Sequence, residues 1–358
     1  MNILITCVGR RNYIVEYFKE ALHGKGLVLT ANSFAEASGM AASDKAFVVP
    51  TIHDRDYIDA LLQICIENKV KLLISLFDMD LPVLASHKEE FIKIGTVPIV
   101  SSKRVVDICN DKLEALNVAQ AVGINSPETF LSLNEVNEGL KRGKVKFPLV
   151  IKPRWGTGSI GIEYAENNSE LQTLYERTRK KINSTYLKQI SENENDILVQ
   201  EKVSGVEYGM DVISDLGGNY VTCFVKRKLA MRSGETDRAV TVYSDQMNKI
   251  GTRLAKLLRH IGNLDVDIIV DQEKIYLIDM NARIGGGYPF SHVAGANLPA
   301  ALIAWVRGED PQKEWLEIQQ NVLAVKGIEL YVVDKKLIRS KSIILSESEE
   351  NRIEKRAN

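Results

Sequence analysis

Short apolar runs alternate with amphipathic segments through the first hundred residues, and that alternation leaves few folds open. Ile3–Val8, Leu27–Ala31, Ala46–Val49, Leu72–Phe77 and Val97–Val100 read as strands. Tyr13–Leu22, Tyr57–Glu67 and Val83–Ile92 read as helices between them. A strand apolar along its whole length is buried on both faces, which a parallel sheet covered by helices on either side provides. Ligands of such sheets bind at the carboxyl ends of the strands. The turn after the first strand, Gly9-Arg10-Arg11-Asn12, lacks the second and third glycines of a dinucleotide fingerprint, so a nicotinamide or flavin dehydrogenase is disfavoured. Arg10 and Arg11 could bind an anionic substrate there, and a solvated turn explains them equally well.

From Ser101 to Val122 the pattern is helical, with Ser101 or Ser102 as N-cap and Gly123 as the stop. Beyond Pro127 the strands lengthen: Phe147–Lys152, Ile197–Val203, Tyr208–Ser214, Tyr220–Lys228, Val266–Val270 and Ile275–Met280. Helices are expected at Ser169–Lys181, Gln246–Ile261 and Leu298–Val306, which makes this an α+β region rich in hairpins. The polar stretch Asn183–Asn195 reads as a surface loop and Ser346–Asn358 as a charged, frayed tail. The expected partition is an N-terminal Rossmann-like domain over 1–105, a lobe with a glycine loop over 106–199, a lobe with an acidic hairpin over 200–310, and a C-terminal extension over 311–358.

Composition narrows the function classes. Apolar residues make up 45% and charged residues 26%, as in ordinary globular proteins. Lys+Arg number 46 against 47 Asp+Glu, so no general basic coat for nucleic acid is present. No stretch approaches the roughly 18 uninterrupted apolar residues of a membrane helix. Ile3–Val8 is short and has its arginines after it, the wrong arrangement for a signal peptide. Cys7, Cys65, Cys109 and Cys223 form no C-x-x-C pair and sit in apolar runs, as reduced thiols of a cytoplasmic protein would.

Three segments carry chemistry. In the first, a strand ending at Lys152 runs into Pro153-Arg154-Trp155-Gly156-Thr157-Gly158-Ser159-Ile160-Gly161. Glycines let backbone N–H groups surround phosphate oxygens, and the lysine adds a point charge. The Gly-Lys-Ser/Thr ending of a Walker loop is absent, and by itself the segment is equally well a glycine-rich hairpin without a chemical role. In the second, Gln200-Glu201-Lys202-Val203-Ser204-Gly205-Val206-Glu207 can offer backbone groups to an adenine edge and a carboxylate to ribose; taken alone it is an ordinary turn. The third is sharpest. Asp265-x-Asp267 leads into Ile268–Val270, and the returning strand ends in Asp279-Met280-Asn281-Ala282-Arg283 before Gly285-Gly286-Gly287. Hard oxygen donors of this kind suit Mg²⁺ or Mn²⁺ with substrate phosphates completing the shell, and Arg283 can neutralise a transferring phosphoryl group. A solvated hairpin accounts for Asp271 and Glu273, but not for acids beside Val266, Ile278 and Met280.

Parity sharpens this reading. Side chains alternate faces along a strand, and directly opposed residues share a side. Eleven residues, an odd number, separate Asp267 from Asp279, so a regular two-residue turn would place Asp267 opposite Ile278. Convergence of Asp267, Asp279 and Asn281 therefore predicts an odd loop or a bulge, with Ile268, Val270 and Ile278 on the other side.

In series these motifs resemble the ATP-grasp superfamily, specifically its carbamoyl-phosphate-synthase-like and carboxylate–amine-ligase-like members. The resemblance rests on Asp111-Lys112 before Gly123-Ile124-Asn125-Ser126-Pro127, Ile151-Lys152-Pro153 with its glycine loop, Gln200–Glu207, Arg232-Ser233-Gly234-Glu235-Thr236 and the Asp267…Arg283 hairpin. It implies an α/β parallel-sheet (preATP-grasp) domain followed by an α+β ATP-grasp fold of two lobes that clamp ATP. It further implies that Lys112, Lys152 and the loop residues Gly156, Thr157, Gly158 and Ser159 bind the phosphates. Gln200, Glu201 and Val203 would line the adenine slot, with Glu207 on the ribose. Asp267, Asp279 and Asn281 would hold two Mg²⁺ (or Mn²⁺) ions, Arg283 would stabilise an acyl phosphate, and Arg232 and Glu235 would lie near the second substrate. The family usually has glutamate at the bridging position of Asp279.

The implied activity is ATP- and Mg-dependent ligation of a small carboxylate to an amine through an acyl phosphate. The alternatives are carbamoyl-phosphate-type phosphorylation of bicarbonate or carbamate, and a non-catalytic ATP-binding regulatory protein. The expected partners are small-molecule carboxylates and amines, without nucleic acid or membrane, and a homodimer is left open. His23, His53, His87, His260 and His292 have no partner at catalytic or ligand spacing, and of these only His292, near the glycine run, could face the site.

Overall fold

The computed structural model describes residues 1–156, 158, 160–189, 195–232, 234–333 and 338–340. The chain forms two compact units, one of residues 1–75, 87–98 and 329 onward, the other of 76–86 and 99–328.

In the first unit the strands are β1 (Asn2–Thr6), β2 (Val28–Asn32), β3 (Lys45–Val48), β4 (Val70–Ser75) and β5 (Val97–Pro98). They order as β3-β2-β1-β4-β5, and Ile338–Ser340 adds a sixth strand beside β3; every pairing is parallel. Ile3, Leu4, Ile5, Leu29, Leu72 and Leu73 are all fully buried, which is why these runs show no polar alternation. Helix Asn12–Leu22 turns Ile14, Val15, Phe18 and Leu22 inward at helical spacing. The single helix expected over Val83–Ile92 is two short ones, Leu81–Ser86 of the second unit and Lys88–Lys93 of the first, with His87 outside helical geometry between them. The tail from Ser346 lies outside the described residues.

The second unit opens with another divided helix. Lys103–Asn110 and Glu114–Val122 replace the continuous span expected over Ser101–Val122. The break is local chemistry: Asp111 has extended backbone, and its carboxylate accepts the Leu113 N–H, competing with the helical ladder. Gly123 ends the second helix in left-handed geometry, as expected. A four-stranded antiparallel sheet follows, built from β6 (Thr129–Phe130), β7 (Leu149–Pro153), β8 (Glu163–Ala165) and β9 (Ile197–Glu201) in the order β6-β9-β7-β8. Helix Asn168–Asn183 packs Leu171, Tyr175 and Ile182 into a core with Leu149, Ile151 and Val199.

The larger sheet contains β10 (Val206–Ser214), β11 (Tyr220–Arg232), β12 (Glu235–Val242), β13 (Gly262–Asp271), β14 (Lys274–Asn281) and β15 (Leu323–Val325). Its order is β14-β13-β10-β11-β12-β15, antiparallel throughout. Arg232 and Glu235 close the β11–β12 hairpin, in which Thr236, Ala239 and Thr241 are the buried members of β12. Helix Asp245–Leu258 lays Ile250, Leu254 and Leu258 against β10 and β11, leaving the opposite face for polar chemistry. No described helix is long and apolar enough to cross a membrane, and no disulfide joins the four cysteines.

Candidate functional site

The site is built on the β13–β14 hairpin. Asp271 pairs with Lys274, so the connection is the two-residue turn Gln272-Glu273. Such a turn would carry Asp279 to the wrong face, and the register shift between Asp267 and Ile268 corrects it. Ile268 pairs with Leu277 whereas Asp267 pairs with Asp279, so Ile278 is the extra residue of a bulge. Asp265 then stands opposite Asn281, and three carboxylates and an amide share one side. Val266, Ile268, Leu277 and Met280 are buried on the reverse. Leu277 takes the place expected for Ile278, because the bulge breaks the alternation at that residue.

Arg283 follows directly and is almost fully buried. Its Nε lies 2.9 Å from Asp78 Oδ2 and its Nη1 lies 3.3 Å from Asp265 Oδ2. Burial alone would lower the guanidinium pKa, but Asp78 and Asp265 hold it above its ordinary value. Asp265 is pushed up to about 6, chiefly by burial and then by the charge of Asp267. A Cβ on Gly285 would come within 2.1 Å of the Asp265 carboxyl carbon, so only glycine allows this approach. Behind the site Asn263 donates to the Arg283 carbonyl at 3.1 Å, and to Asp211 at 3.4 Å. Asp211 is paired with Lys226 and accepts from Ser291, all three fully buried. This network ties the Arg283 backbone to β10, β11 and helix Tyr288–Val293.

The smaller sheet supplies cations. Lys152, at the end of β7, is 5% exposed. Its pKa is pushed down to about 8 by burial first and by neighbouring Lys112 second, with Asp279 acting in the opposite direction. Lys112 donates its backbone N–H to Arg154 O at 3.1 Å and its Nζ to Gly156 O. Arg154 grips Asp111 with two hydrogen bonds, of 2.8 and 2.6 Å, and stacks over Trp155 at 4.7 Å. The glycine loop is thus anchored at its start to the Asp111–Lys112 segment. Gly158 is exposed; Thr157 and Ser159 lie outside the described residues.

Other candidates are placed differently. The buried Gln200 amide donates to Thr129 at 2.7 Å, and Glu201 accepts from the Glu128 N–H while facing a polar cleft of about 530 Å³ that includes Lys144 and Tyr276. The Glu201 backbone N–H is also engaged, donating to Glu128 O at 3.0 Å. Val203 is half-buried, and Glu207 accepts from Lys228 at 2.7 Å. Arg232 turns to Asp237 at 2.9 Å within the β11–β12 hairpin, and Glu235 to Lys326, just past β15, at 3.0 Å. His292 bonds Tyr288 at 3.1 Å and His260 the Val212 carbonyl at 2.9 Å; burial pushes each down to about 4, so both are neutral. Sequence reasoning missed Asp78, Asp211, Lys226 and Lys228. The only available signal was charge inside apolar strands, as in Val225-Lys226-Arg227-Lys228.

A divalent cation fits this donor set. The side chains of Asp279 and Asn281 make no hydrogen bond among the described residues, although both stand on the acidic face. Among those residues no three His, Cys, Asp or Glu side chains could hold an ion unaided, so an ion there would draw further oxygens from a substrate.

Comparison with known proteins agrees with this architecture. Residues 3–100 match the PylC-like N-terminal domain and residues 145–290 the ATP-grasp domain. The chain thus combines a PylC-like N-terminal domain with an ATP-grasp domain. The biotin carboxylase domain of Hydrogenobacter thermophilus 2-oxoglutarate carboxylase, solved with MgADP, superposes with a TM-score of 0.69 at 16% identity, covering 90% of this chain and 73% of that one. L-amino acid ligase from Bacillus licheniformis gives 0.66 at 20% identity, covering 86% and 75%. N5-carboxyaminoimidazole synthetase from Staphylococcus aureus, complexed with ADP, gives 0.66 at 12% identity, covering 90% and 79%. At these identities the likeness is one of fold.

Proposed function

We propose that this protein is an ATP- and Mg²⁺-dependent ligase that joins a small carboxylate to an amine through an acyl phosphate. The observation carrying the proposal is the β13–β14 bulge, which gathers Asp265, Asp267, Asp279 and Asn281 on one side, while buried Lys152 and its neighbour Lys112 supply cations. A cationic wall facing an acidic one is the arrangement a metal–triphosphate requires. An L-amino acid ligase among the structural neighbours supports the reaction class.

In this reading residues 106–199 and 200–310 are the two lobes. Lys112, Lys152 and the loop from Gly156 to Gly161, including Thr157 and Ser159, take the phosphates. The Glu201 and Val203 backbone takes the adenine edge, and Glu207 the ribose. Asp267, Asp279 and Asn281 would hold Mg²⁺ (or Mn²⁺), two ions in the fullest form, and the metal would offset charge on the phosphates. A substrate carboxylate oxygen attacks the γ-phosphorus and ADP departs. Arg283, fixed by Asp78 and Asp265, orients the phosphoryl oxygens. An amine then attacks the acyl carbon, phosphate leaves, and an amide remains. Arg232 and Glu235 border the second substrate.

ADP release tests this directly, using pooled amino acids and carboxylates with and without Mg²⁺. Substrate- and Mg²⁺-dependent ADP is expected, and Asp279→Asn should abolish it while changing stability by about 0.5 kcal/mol or less, since that carboxylate makes no hydrogen bond among the described residues. Binding of ATP without turnover under every pool would contradict a ligase.

A further inference from the structure

Lys228 holds two of the carboxylates assigned above to substrate and metal. Its Nζ lies 2.6 Å from Asp267 Oδ1 and 2.7 Å from Glu207 Oε1, and the lysine side chain is 5% exposed against 26% for Asp267 and 37% for Glu207. The route to Asp267 crosses β10 at Gly209, which pairs with Asp267 on one side and Lys226 on the other. A Cβ on Gly209 would stand 3.2 Å from Lys226 Cε and 3.4 Å from Lys228 Cε, so the missing side chain gives both stems their passage. The two lysines then part in role. Lys226 is enclosed with Asp211 and Ser291. Lys228 ends on the open, acidic face.

We propose that Lys228 is an internal counter-cation that occupies the Asp267 carboxylate until nucleotide arrives, so that a divalent ion enters as its nucleotide complex and not alone. The inference rests on the reading of Asp267 as a metal ligand. A divalent ion on Asp267 would stand beside a nearly buried ammonium, and the repulsion weakens its binding. Displaced from Asp267, the ammonium keeps only Glu207, and leaving a buried charge half-paired is costly. A triphosphate removes the conflict by offering Lys228 new oxygens while adding donors to the metal shell.

The test is Mn²⁺ binding, read from the electron paramagnetic resonance signal of free Mn²⁺, with and without a non-hydrolysable ATP analogue. Wild-type protein should bind Mn²⁺ weakly alone and tightly with the analogue. Lys228→Gln should bind Mn²⁺ alone about tenfold more tightly or better, since one opposing charge at contact distance is gone. Lys228→Arg, which keeps the charge, should remain weak. Lys228→Met serves the same purpose if the glutamine variant does not fold. Adding Asp267→Asn to Lys228→Gln should erase the gain. Unchanged Mn²⁺ affinity in the neutral variants, or a gain that survives Asp267→Asn, would overturn the inference while leaving the ligase reading intact. Absence of any Mn²⁺–nucleotide binding by wild-type protein would instead remove the ligase reading beneath it.

Discussion

Lys152 shows how burial and neighbouring charge set what the site can hold. Its proton leaves at about 8 in the folded protein, against 10.5 for the free side chain. Between these values the folded state binds fewer protons than the unfolded chain, so nucleotide-free stability should rise with pH across that window. A phosphate binds the protonated form, so nucleotide affinity should be full below about pH 8 and decline as pH rises through it. Calorimetric titration of an ATP analogue across that range would show the decline, and Lys152→Arg should flatten it because arginine stays charged. A flat wild-type profile would remove Lys152 from the phosphates. At this scale legibility depended on chain distance. Asp267, Asp279, Asn281 and Arg283 stood out because acids, an amide and a cation interrupt apolar strands within one short segment. Asp78 did not, since its meaning comes from an arginine 205 positions away.

The β13–β14 hairpin was legible as an element because parity is a strict property of strands: an even turn and an odd separation require an extra residue, and Ile278 is that residue. Helices were less legible. Asp111 breaks one by a side-chain hydrogen bond that periodicity cannot register, and the break puts Lys112 beside the glycine loop. Strand Ile338–Ser340 was missed because its partner, β3, lies almost 300 residues earlier. The larger sheet carries its own prediction. Lys226→Met leaves the fully buried Asp211 without its cation and should cost about 3–5 kcal/mol in chemical denaturation. Adding Asp211→Leu should recover part of that loss, as removing both charges of a buried pair is cheaper than removing one. Additive losses in the double variant would show that the pair is not the source of the effect.

For the molecule as a whole, composition and hydropathy excluded membrane helices and a nucleic-acid coat, and the order of motifs indicated a parallel-sheet domain followed by two antiparallel lobes. The substrates were not legible, because recognition of a particular carboxylate and amine depends on the shape of the assembled site and no local motif encodes it. The central claim concerns an atom that must move. If a carboxylate attacks the γ-phosphorus, one of its oxygens becomes part of the phosphate released when the amine arrives. The decisive measurement is therefore turnover of ATP with Mg²⁺, amines and ¹⁸O-labelled carboxylates, with the products read by phosphorus NMR. The predicted result is ADP together with inorganic phosphate carrying one ¹⁸O from the carboxylate. Unlabelled phosphate alongside amide, or AMP with pyrophosphate, would contradict the acyl-phosphate account.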